Sequence, residues 1–216
     1  KNLNFKIENF VKFKDKIEYL VIDDIPINVG TIKKGWHSSH LRDQFQRNSL
    51  ERGYKGCSED DLIMISDIDE IPNPRKITEF KPKNKYGCFL QKNFQSKLNL
   101  LNITDGYWAG TKICEKKNLK SPQWLRNIKT RKKPFWKIFS DNAPQLINDG
   151  GWHFSFLKDS ISIKNKISVY AHQEFNTPKF CNTENIQKKI ENKEDLFDRN
   201  IKYEAVELDE TFPDYI

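Results

Sequence analysis

Residues 60–72 read DDLIMISDIDEIP, an apolar run that ends in three carboxylates and a proline. The run Leu62–Ile65 is too short for a typical helix and has the composition of a strand buried on both faces. If the chain stays extended beyond it, Asp67 and Asp69 point the same way and Glu70 points the other way. Two converging carboxylates suit Mg²⁺ or Mn²⁺, which complete their coordination with water and phosphate oxygens. A solvated acidic turn is the alternative that this spacing leaves open.

The size and charge of the chain limit the kind of protein it can be. Its 216 residues are enough for one sizeable core, so we expect a single domain over residues 1–216. The net charge of +7 favours an anionic partner, which is a nucleic acid, a phosphate ester or a membrane surface. No run approaches the roughly 18 apolar residues of a membrane span, and the four cysteines lack the spacing of a zinc site. A soluble cytoplasmic protein with reduced thiols is the simplest interpretation.

Two segments on the N-terminal side of the acidic stretch suggest how the fold is wound. Residues Ile17–Asp23 have the pattern of a core strand, and a serine at 38 or 39 can cap a helix that Gly53 closes. A strand, a helix and the strand Leu62–Ile65 in this order imply a right-handed crossover and a parallel sheet. Ligands of such sheets bind beyond the carboxyl ends of the strands, which is where the acidic residues would lie.

The rest of the chain carries signals for further strands and helices. Asn73 and Pro74 predict a short helix that runs through Phe80, with the asparagine as its cap. Strands are expected at Tyr86–Asn93, Lys97–Ile103 and Gly150–Phe156, and helices are expected from Ser121 and over much of residues 158–216. The pattern indicates an α/β protein with a mainly helical C-terminal part.

A histidine and one helix face are candidates for ligand binding outside the acidic stretch. His153 follows Gly150 and Gly151, which allow a close approach of the backbone, and a neutral imidazole there can bind a metal or a phosphate. Arg42 and Gln46 lie four residues apart on one face of the predicted helix and can reach a ligand together. A packed core histidine and a solvated helix face are the alternatives.

A basic segment with aromatic residues, 129–137, suggests a second kind of function. Its lysines and arginine flank Phe135 and Trp136, a mixture that suits stacking on a base, a sugar ring or a nucleic-acid strand. A nucleic-acid-binding module is therefore one alternative, and a surface loop anchored by two aromatics is the other. A metal-dependent phosphoesterase would also use clustered aspartates, but it normally needs more ligands than the four histidines of this chain suggest.

Five segments in order resemble glycosyltransferase family 17. They are Val21–Pro26, Gln46–Asn48, Asp61–Pro72, Gly151–Ser155 and Ala171–Asn176. Each is weak alone, but five in sequence are fairly specific, and the resemblance covers about residues 10–199. It implies the A-type fold of glycosyltransferases, an α/β fold with a Rossmann-like mixed sheet flanked by helices.

The resemblance also implies the chemistry of the protein. It implies a nucleotide-sugar donor, a divalent cation, Mn²⁺ or Mg²⁺, held by Asp67 and Asp69, and inversion at the anomeric carbon. UDP-N-acetylglucosamine is the expected donor, a glycan or glycoconjugate is the expected acceptor, and nucleic acid is not expected as a partner. The residues expected to bind the donor are Arg42, Gln46, Arg47, Asp67 and Trp152, and the expected metal ligands are Asp67, Asp69 and His153.

Inversion by a single displacement requires a base that takes the proton of the acceptor hydroxyl. The candidates are Glu70, Asp105, Asp149 and Glu174. Asp149 is favoured because it adjoins the Gly150–Gly151 turn, and Glu70 is the next choice. Trp152 or Trp108 can offer a ring face on which a sugar stacks.

The N-terminal side of the chain departs from the family pattern. Relatives begin with an opening strand and helix ahead of the segment that resembles Phe10–Pro26, and in A-type folds that strand helps to hold the nucleotide base. This chain starts after it, so we expect an A-type fold without the opening strand. The missing membrane anchor suggests a soluble bacterial or viral protein of the cytoplasm, or a trimmed form of an enzyme of the Golgi lumen.

Overall fold

The computed structural model describes residues 5–25, 38–130, 143–169 and 172–213. Its α-helices are α1 (Ser38–Asn48), α2 (Pro122–Asn127), α3 (Ser160–Val169) and α4 (Thr183–Glu191). Its strands are β1 (Leu62–Ile65), β2 (Glu70–Pro72), β3 (Tyr86–Gln95), β4 (Leu100–Asn102), β5 (Tyr107–Glu115), β6 (Gln145–Ile147), β7 (Gly151–Ser155) and β8 (Tyr203–Ala205). Short 3₁₀ helices cover Ile7–Lys16, Ser49–Gly53, Pro74–Glu79, Pro82–Asn84, Lys116–Asn118 and Gln173–Phe175. The protein is therefore a mixed α/β protein.

Strand β3 lies at the centre of the eight-stranded sheet. On one side it pairs antiparallel with β5 and β4, and β1 and β8 extend the sheet beyond these two strands. On the other side β3 pairs in parallel with β6 and β7, and β2 adds to β7 in antiparallel orientation. The sheet is thus mixed, although most of its pairs are antiparallel.

The predicted strand Ile17–Asp23 is wrong, because residues 17–25 have no regular secondary structure. Tyr19 packs on the ring of Phe5, at 4.6 Å between ring centroids, and does not join the sheet. The parallel crossover into β1 is also wrong, since β1 pairs antiparallel with β5. Strand β5 was not predicted, and its presence beside β1 is what changes the topology.

Most of the other predicted elements are confirmed. The side chain of Asn73 accepts a hydrogen bond from the backbone of Arg75, at the start of the 3₁₀ helix Pro74–Glu79. Ser121 caps α2 by accepting from the backbone of Trp124. Strands β3, β4 and β7 lie within or close to the predicted ranges. In the C-terminal part, α3 and α4 form as the pattern indicated, while β8 joins the sheet beside β4.

Four clusters of buried apolar side chains stabilise the described part of the molecule. Two of them cover the sheet near α2 and near β6, one lies under the C-terminal segment at Phe212, and one joins α3 to α4. In the last cluster Ile163 and Ile167 of α3 pack on Ile186 and Ile190 of α4. None of the described helices is long and apolar enough to cross a membrane.

Candidate active site

A cleft of about 870 Å³ lies over the face of β3 and β7. Asn93 and Gln95 of β3 line it, and the parallel pairing sets them beside His153 and Ser155 of β7, which also line it. Side chains alternate along a strand, so the residues between these positions point to the other face. They are buried there in one apolar cluster, which contains Phe94, Trp152 and Phe154.

The acidic stretch forms a turn that connects β1 to β2. The backbone N–H of Glu70 donates to the carbonyl of Asp67 at 3.0 Å, and the side chain of Ile68 is fully exposed. The backbone N–H of Phe154 in β7 donates to the carbonyl of Asp69 at 2.8 Å, which ties the turn to the cleft face. The chain turns here, so the extended conformation expected beyond β1 is wrong, but the side chains of Asp67 and Asp69 both line the cleft.

Two arginines hold the carboxylate of Asp67. Arg47 of α1 donates from Nη2 to one oxygen at 3.0 Å, and Arg126 of α2 donates from Nη2 to the other at 2.9 Å. Both oxygens of Asp67 therefore have guanidinium partners. The side chain links the two helices to the acidic turn.

Glu70 is buried at the end of the same turn. Its Oε1 accepts from Trp108 Nε1 and from Arg126 Nη2, both at 2.8 Å, and its Oε2 accepts from Arg126 Nη1 at 2.9 Å. Burial opposes the charge of Arg126, but Glu70 and Asp67 outweigh it and raise the pKa of this arginine. A carboxylate with no exposed side-chain surface and with these partners cannot reach an acceptor hydroxyl. This environment argues against Glu70 as the base.

Asp69 and His153 face each other across the cleft floor. His153 Nε2 lies 3.7 Å from one oxygen of Asp69, and Lys166 Nζ of α3 lies 3.9 Å from the other oxygen. His153 Nδ1 lies 2.9 Å from Oδ1 of Asn93, an oxygen that can only accept, so Nδ1 carries the proton and Nε2 has a lone pair. Burial lowers the pKa of His153, although the Asp69 charge opposes this.

The ring of Trp108 fixes the plane of His153. The two rings stack with 4.5 Å between centroids and 11° between planes, and the indole N–H is held by Glu70. Trp108 also lines the cleft and is partly exposed. Of the two tryptophans considered for sugar stacking, Trp108 is therefore the one in this cleft.

The donor atoms of Asp69 and His153 fit a divalent cation. A carboxylate oxygen and an imidazole lone pair that face each other, with no proton between them, can both bind one divalent cation. No cluster of three or more His, Cys, Asp or Glu side chains spaced to hold a metal occurs in the part of the chain that the structure describes. Mg²⁺ commonly uses one or two protein ligands and fills its shell with water and phosphate oxygens, so a two-residue site is compatible with it.

The structure brings some of the predicted donor-binding residues together and separates others. Arg42 and Arg47 of α1 line the cleft, and so does Asp43 between them. Gln46 is exposed and does not line the cleft. Its neighbour Arg47 lies on the side of α1 that faces Asp67, so Gln46 points elsewhere. The expected pairing of Arg42 with Gln46 is therefore wrong.

Asp149 and Trp152 lie away from this cleft. Both line a different groove of about 690 Å³ on the opposite face of β7, where Phe212 packs on Trp152. The alternation of β7 explains this, since Trp152 and His153 are neighbours and must point to opposite faces. This placement argues against Asp149 as the base and against Trp152 as a donor-binding residue of this cleft.

The two remaining candidate bases do not line the cleft either. Asp105 is exposed and accepts from the side chain of Asn102 at 3.1 Å, next to β4. Glu174 lies 2.8 Å from Nδ1 of His172. His172 lines the cleft, whereas Glu174 does not. Neither carboxylate contributes to the cleft wall.

Sequence reasoning missed Arg126 and Lys166. Arg126 lies in the last turn of α2, beside the buried Leu125. An arginine next to a buried residue can itself be partly buried and paired, and this was the available signal. Lys166 lies on α3 between the buried Ile163 and Ile167 and had no distinguishing pattern. Their positions depend on how these helices pack, which the sequence pattern does not contain. Of the basic segment, Lys129 is described, while residues 131–137 lie outside the described residues.

Comparisons with known proteins give one match. The family model described as Glycosyltransferase family 17 matches residues 1–206, which is nearly the whole chain. Searches of the curated proteins and of the solved structures gave no match.

Proposed function

Because the chain belongs to glycosyltransferase family 17 and is a glycosyltransferase, we propose that it transfers a sugar from a nucleotide sugar to a glycan in the cleft over β3 and β7. The observation that supports this site most strongly is the pair formed by Asp69 Oδ1 and His153 Nε2, 3.7 Å apart. We further propose UDP-N-acetylglucosamine as the donor and inversion at the anomeric carbon. The A-type fold is part of the same proposal, and the parallel pairing of β3 with β6 and β7 supports it.

The charges around the cleft suit a leaving nucleoside diphosphate. Asp69 and His153 would hold Mn²⁺ or Mg²⁺, which when bound neutralises the charge that grows on the diphosphate. Lys166 and Arg42 add cationic donors at the cleft wall. In this proposal Asp67 positions Arg47 and Arg126 beside the acidic turn.

Asp43 is the carboxylate best placed to act as the base. It lies on α1 between Arg42 and Arg47 and lines the cleft. Partial burial raises its pKa, an effect that the nearby Arg47 and His40 oppose. A raised pKa makes the ionised form a stronger base towards a sugar hydroxyl. Trp108 would offer the ring face against which the transferred sugar lies.

Release of UDP from UDP-N-acetylglucosamine, with a mixture of glycans as acceptors, tests the proposal. We expect the release to need Mn²⁺ or Mg²⁺, to stop with a chelator, and to fall by about 100-fold or more in Asp69→Asn. The matched control is Asp60→Asn, which changes an exposed aspartate of the same stretch that pairs with Lys117. Equal losses in the two variants, or release that no metal affects, would contradict the proposed site. A parallel screen of other nucleotide sugars by thermal shift identifies the donor.

A further inference from the structure

One end of the cleft is lined by side chains that the transfer chemistry described above does not use. Gln95 and Ser155 lie side by side at the ends of β3 and β7, and Phe197 and Arg199 close this end from the segment after α4. Gln95 lies two residues beyond Asn93 on the same strand face, so it is about 7 Å along the strand from the residue that orients His153. This distance is comparable to the length of a sugar residue.

The amide of Gln95 has hydrogen-bond partners at its oxygen and none at its nitrogen. Its Oε1 accepts from the hydroxyl of Tyr203 at 2.7 Å and from Arg199 Nη2 at 3.4 Å, and these two donors fix the orientation of the amide. Its Nε2 is buried and has no hydrogen-bond partner in the described structure. Only 5% of the residue is exposed. A buried donor without a partner is costly, so it indicates that an acceptor atom belongs at this position.

Arg199 supplies a second donor edge at the same place. Its Nε and Nη2 donate to the two oxygens of the buried Asp195, at 3.0 and 2.7 Å, so its charge is already balanced. Its guanidinium lies over the ring of Phe197, 5.2 Å from the ring centroid, and its side chain is 45% exposed. Among the described residues, Nη1 has no hydrogen-bond partner. A ligand at this edge therefore meets N–H donors without an unbalanced positive charge.

The strand end beside Gln95 is held in an uncommon conformation. Phe156 follows Ser155 with a φ of 57°, in the left-handed region that aromatic residues seldom adopt. This conformation ends β7 and places the ring of Phe156 in the cleft lining, under Lys166 Nζ at 4.6 Å from the ring centroid. The unsatisfied amide and the aromatic ring thus lie in the same part of the cleft.

We propose that Gln95, Ser155 and Arg199 form the subsite for an uncharged sugar residue of the acceptor. The proposal rests on the proposed function, because it assigns the acceptor to one end of the same cleft. Hydroxyl, ether and amide oxygens of a sugar are the acceptors that Gln95 Nε2 and the Arg199 edge lack. A diphosphate fits on the side of Asp69, and Lys166 lies between that side and the sugar subsite.

Binding measurements on the full chain test this subsite. UDP affinity is measured by calorimetry, and the affinities for methyl β-N-acetylglucosaminide, methyl α-mannoside and methyl β-galactoside are measured by NMR titration in the presence of UDP. Gln95→Glu replaces the Nε2 donor by an oxygen and keeps an acceptor for Tyr203. We expect the Kd of the best-bound sugar to rise by about 3- to 10-fold, while the Kd of UDP changes by less than about twofold.

Gln187→Glu is the matched control, because it makes the same change at an exposed glutamine of α4 that does not line the cleft. Its sugar affinity is expected to stay within about twofold of wild type. If thermal unfolding shows that Gln95→Glu does not fold, Arg199→Lys takes its place, because it keeps a cation for Asp195 and removes the guanidinium donors. The same rise in sugar Kd is expected.

The outcomes separate this subsite from the proposed function. The subsite is wrong if none of the sugars binds to wild type up to the solubility limit of the sugar. It is also wrong if the folded test variant binds sugar as tightly as wild type does, or if the variant loses affinity for UDP and keeps its affinity for sugar. A wild-type chain that neither binds UDP nor releases it from a UDP-sugar overturns the proposed function itself.

Discussion

The carboxylate of Glu70 and the guanidinium of Arg126 form a two-pronged ion pair where the acidic turn enters β2, with N–O distances of 2.8 and 2.9 Å. Arg126 also reaches Asp67 at the start of the turn and the carbonyl of Gly110 on β5. One side chain thus fixes both ends of the turn and one neighbouring strand. The conformation of the turn, and with it the position of Asp69, depends on this arginine.

Arg126→Ala is therefore expected to destabilise the fold strongly. It leaves the buried carboxylate of Glu70 without its cation, and breaking such a pair typically costs about 3–5 kcal/mol. The free energy of unfolding is measured by urea denaturation. Lys76→Ala is the control, because it breaks an exposed pair with Glu79 that contributes little to stability. Similar losses in both variants would show that the pair at Glu70 is not a main support of the turn.

Asn93 is expected to control metal affinity through His153. Asn93→Leu removes the oxygen that holds the proton on Nδ1, so the lone pair of Nε2 is no longer fixed towards Asp69. Loss of such an orienting partner typically lowers metal affinity by about 10- to 100-fold. Mn²⁺ binding is followed by electron paramagnetic resonance of the free ion, without any substrate. Asn192→Leu, an exposed change at the end of α4, is the control and should bind Mn²⁺ as wild type does.

Local signals in the sequence predicted the local parts of the fold. The apolar run of β1, the cap at Asn73 and the cap at Ser121 each depend on a few adjacent residues, and each formed as expected. The pairing of β1 with β5 depends on residues about fifty positions apart in the chain, and no local pattern encodes it. The exposed environment of Ile17–Asp23 likewise follows from packing and not from its composition.

The candidate site shows the same division. Residue types and their order led to Asp69 and His153, which the structure brings within 3.7 Å of each other. Strict alternation failed at Asp67, because a hydrogen bond closes a turn there, and the arginines that capture its carboxylate come from two separate helices. Asp149 adjoins the Gly150–Gly151 turn in sequence, but it lies across the sheet from the cleft.

Asp43 is expected to set the acidic limb of the pH profile for transfer. Only its ionised form can accept a proton, so activity should rise with pH through the pKa of Asp43, which burial raises above the ordinary value of 3.8. Asp43→Asn should lower the rate of transfer by about 100- to 10,000-fold. Calorimetry with UDP shows whether the variant still binds the nucleotide. A variant with unchanged transfer, or with the same acidic limb as wild type, would exclude Asp43 as the base.

The ion pair of Asp195 and Arg199 is expected to lose its stabilising effect in acid. Burial opposes ionisation of Asp195, but hydrogen bonds from the side chain and backbone of Arg199 outweigh it and lower the pKa of Asp195 below 3.8. A lowered folded-state pKa adds stability above pH 3.8, which is lost as the pH falls through the folded-state pKa. Asp195→Asn should therefore lower the free energy of unfolding by about 1–2 kcal/mol at pH 7, because Arg199 is 45% exposed and is partly hydrated when its partner is lost.

The difference in the free energy of unfolding between wild type and Asp195→Asn should stay constant from pH 7 to about pH 4. It should become smaller only below pH 3.8, the ordinary pKa of an aspartate. Urea denaturation at a series of pH values measures it. Asp209→Asn is the control, because this exposed aspartate also has a lowered pKa, which the hydrogen bond from Thr211 causes, but its partner is a neutral hydroxyl and not a cation. A difference that becomes smaller already between pH 7 and pH 5 would mean that another group, and not Asp195, controls the stability of the segment that carries Arg199.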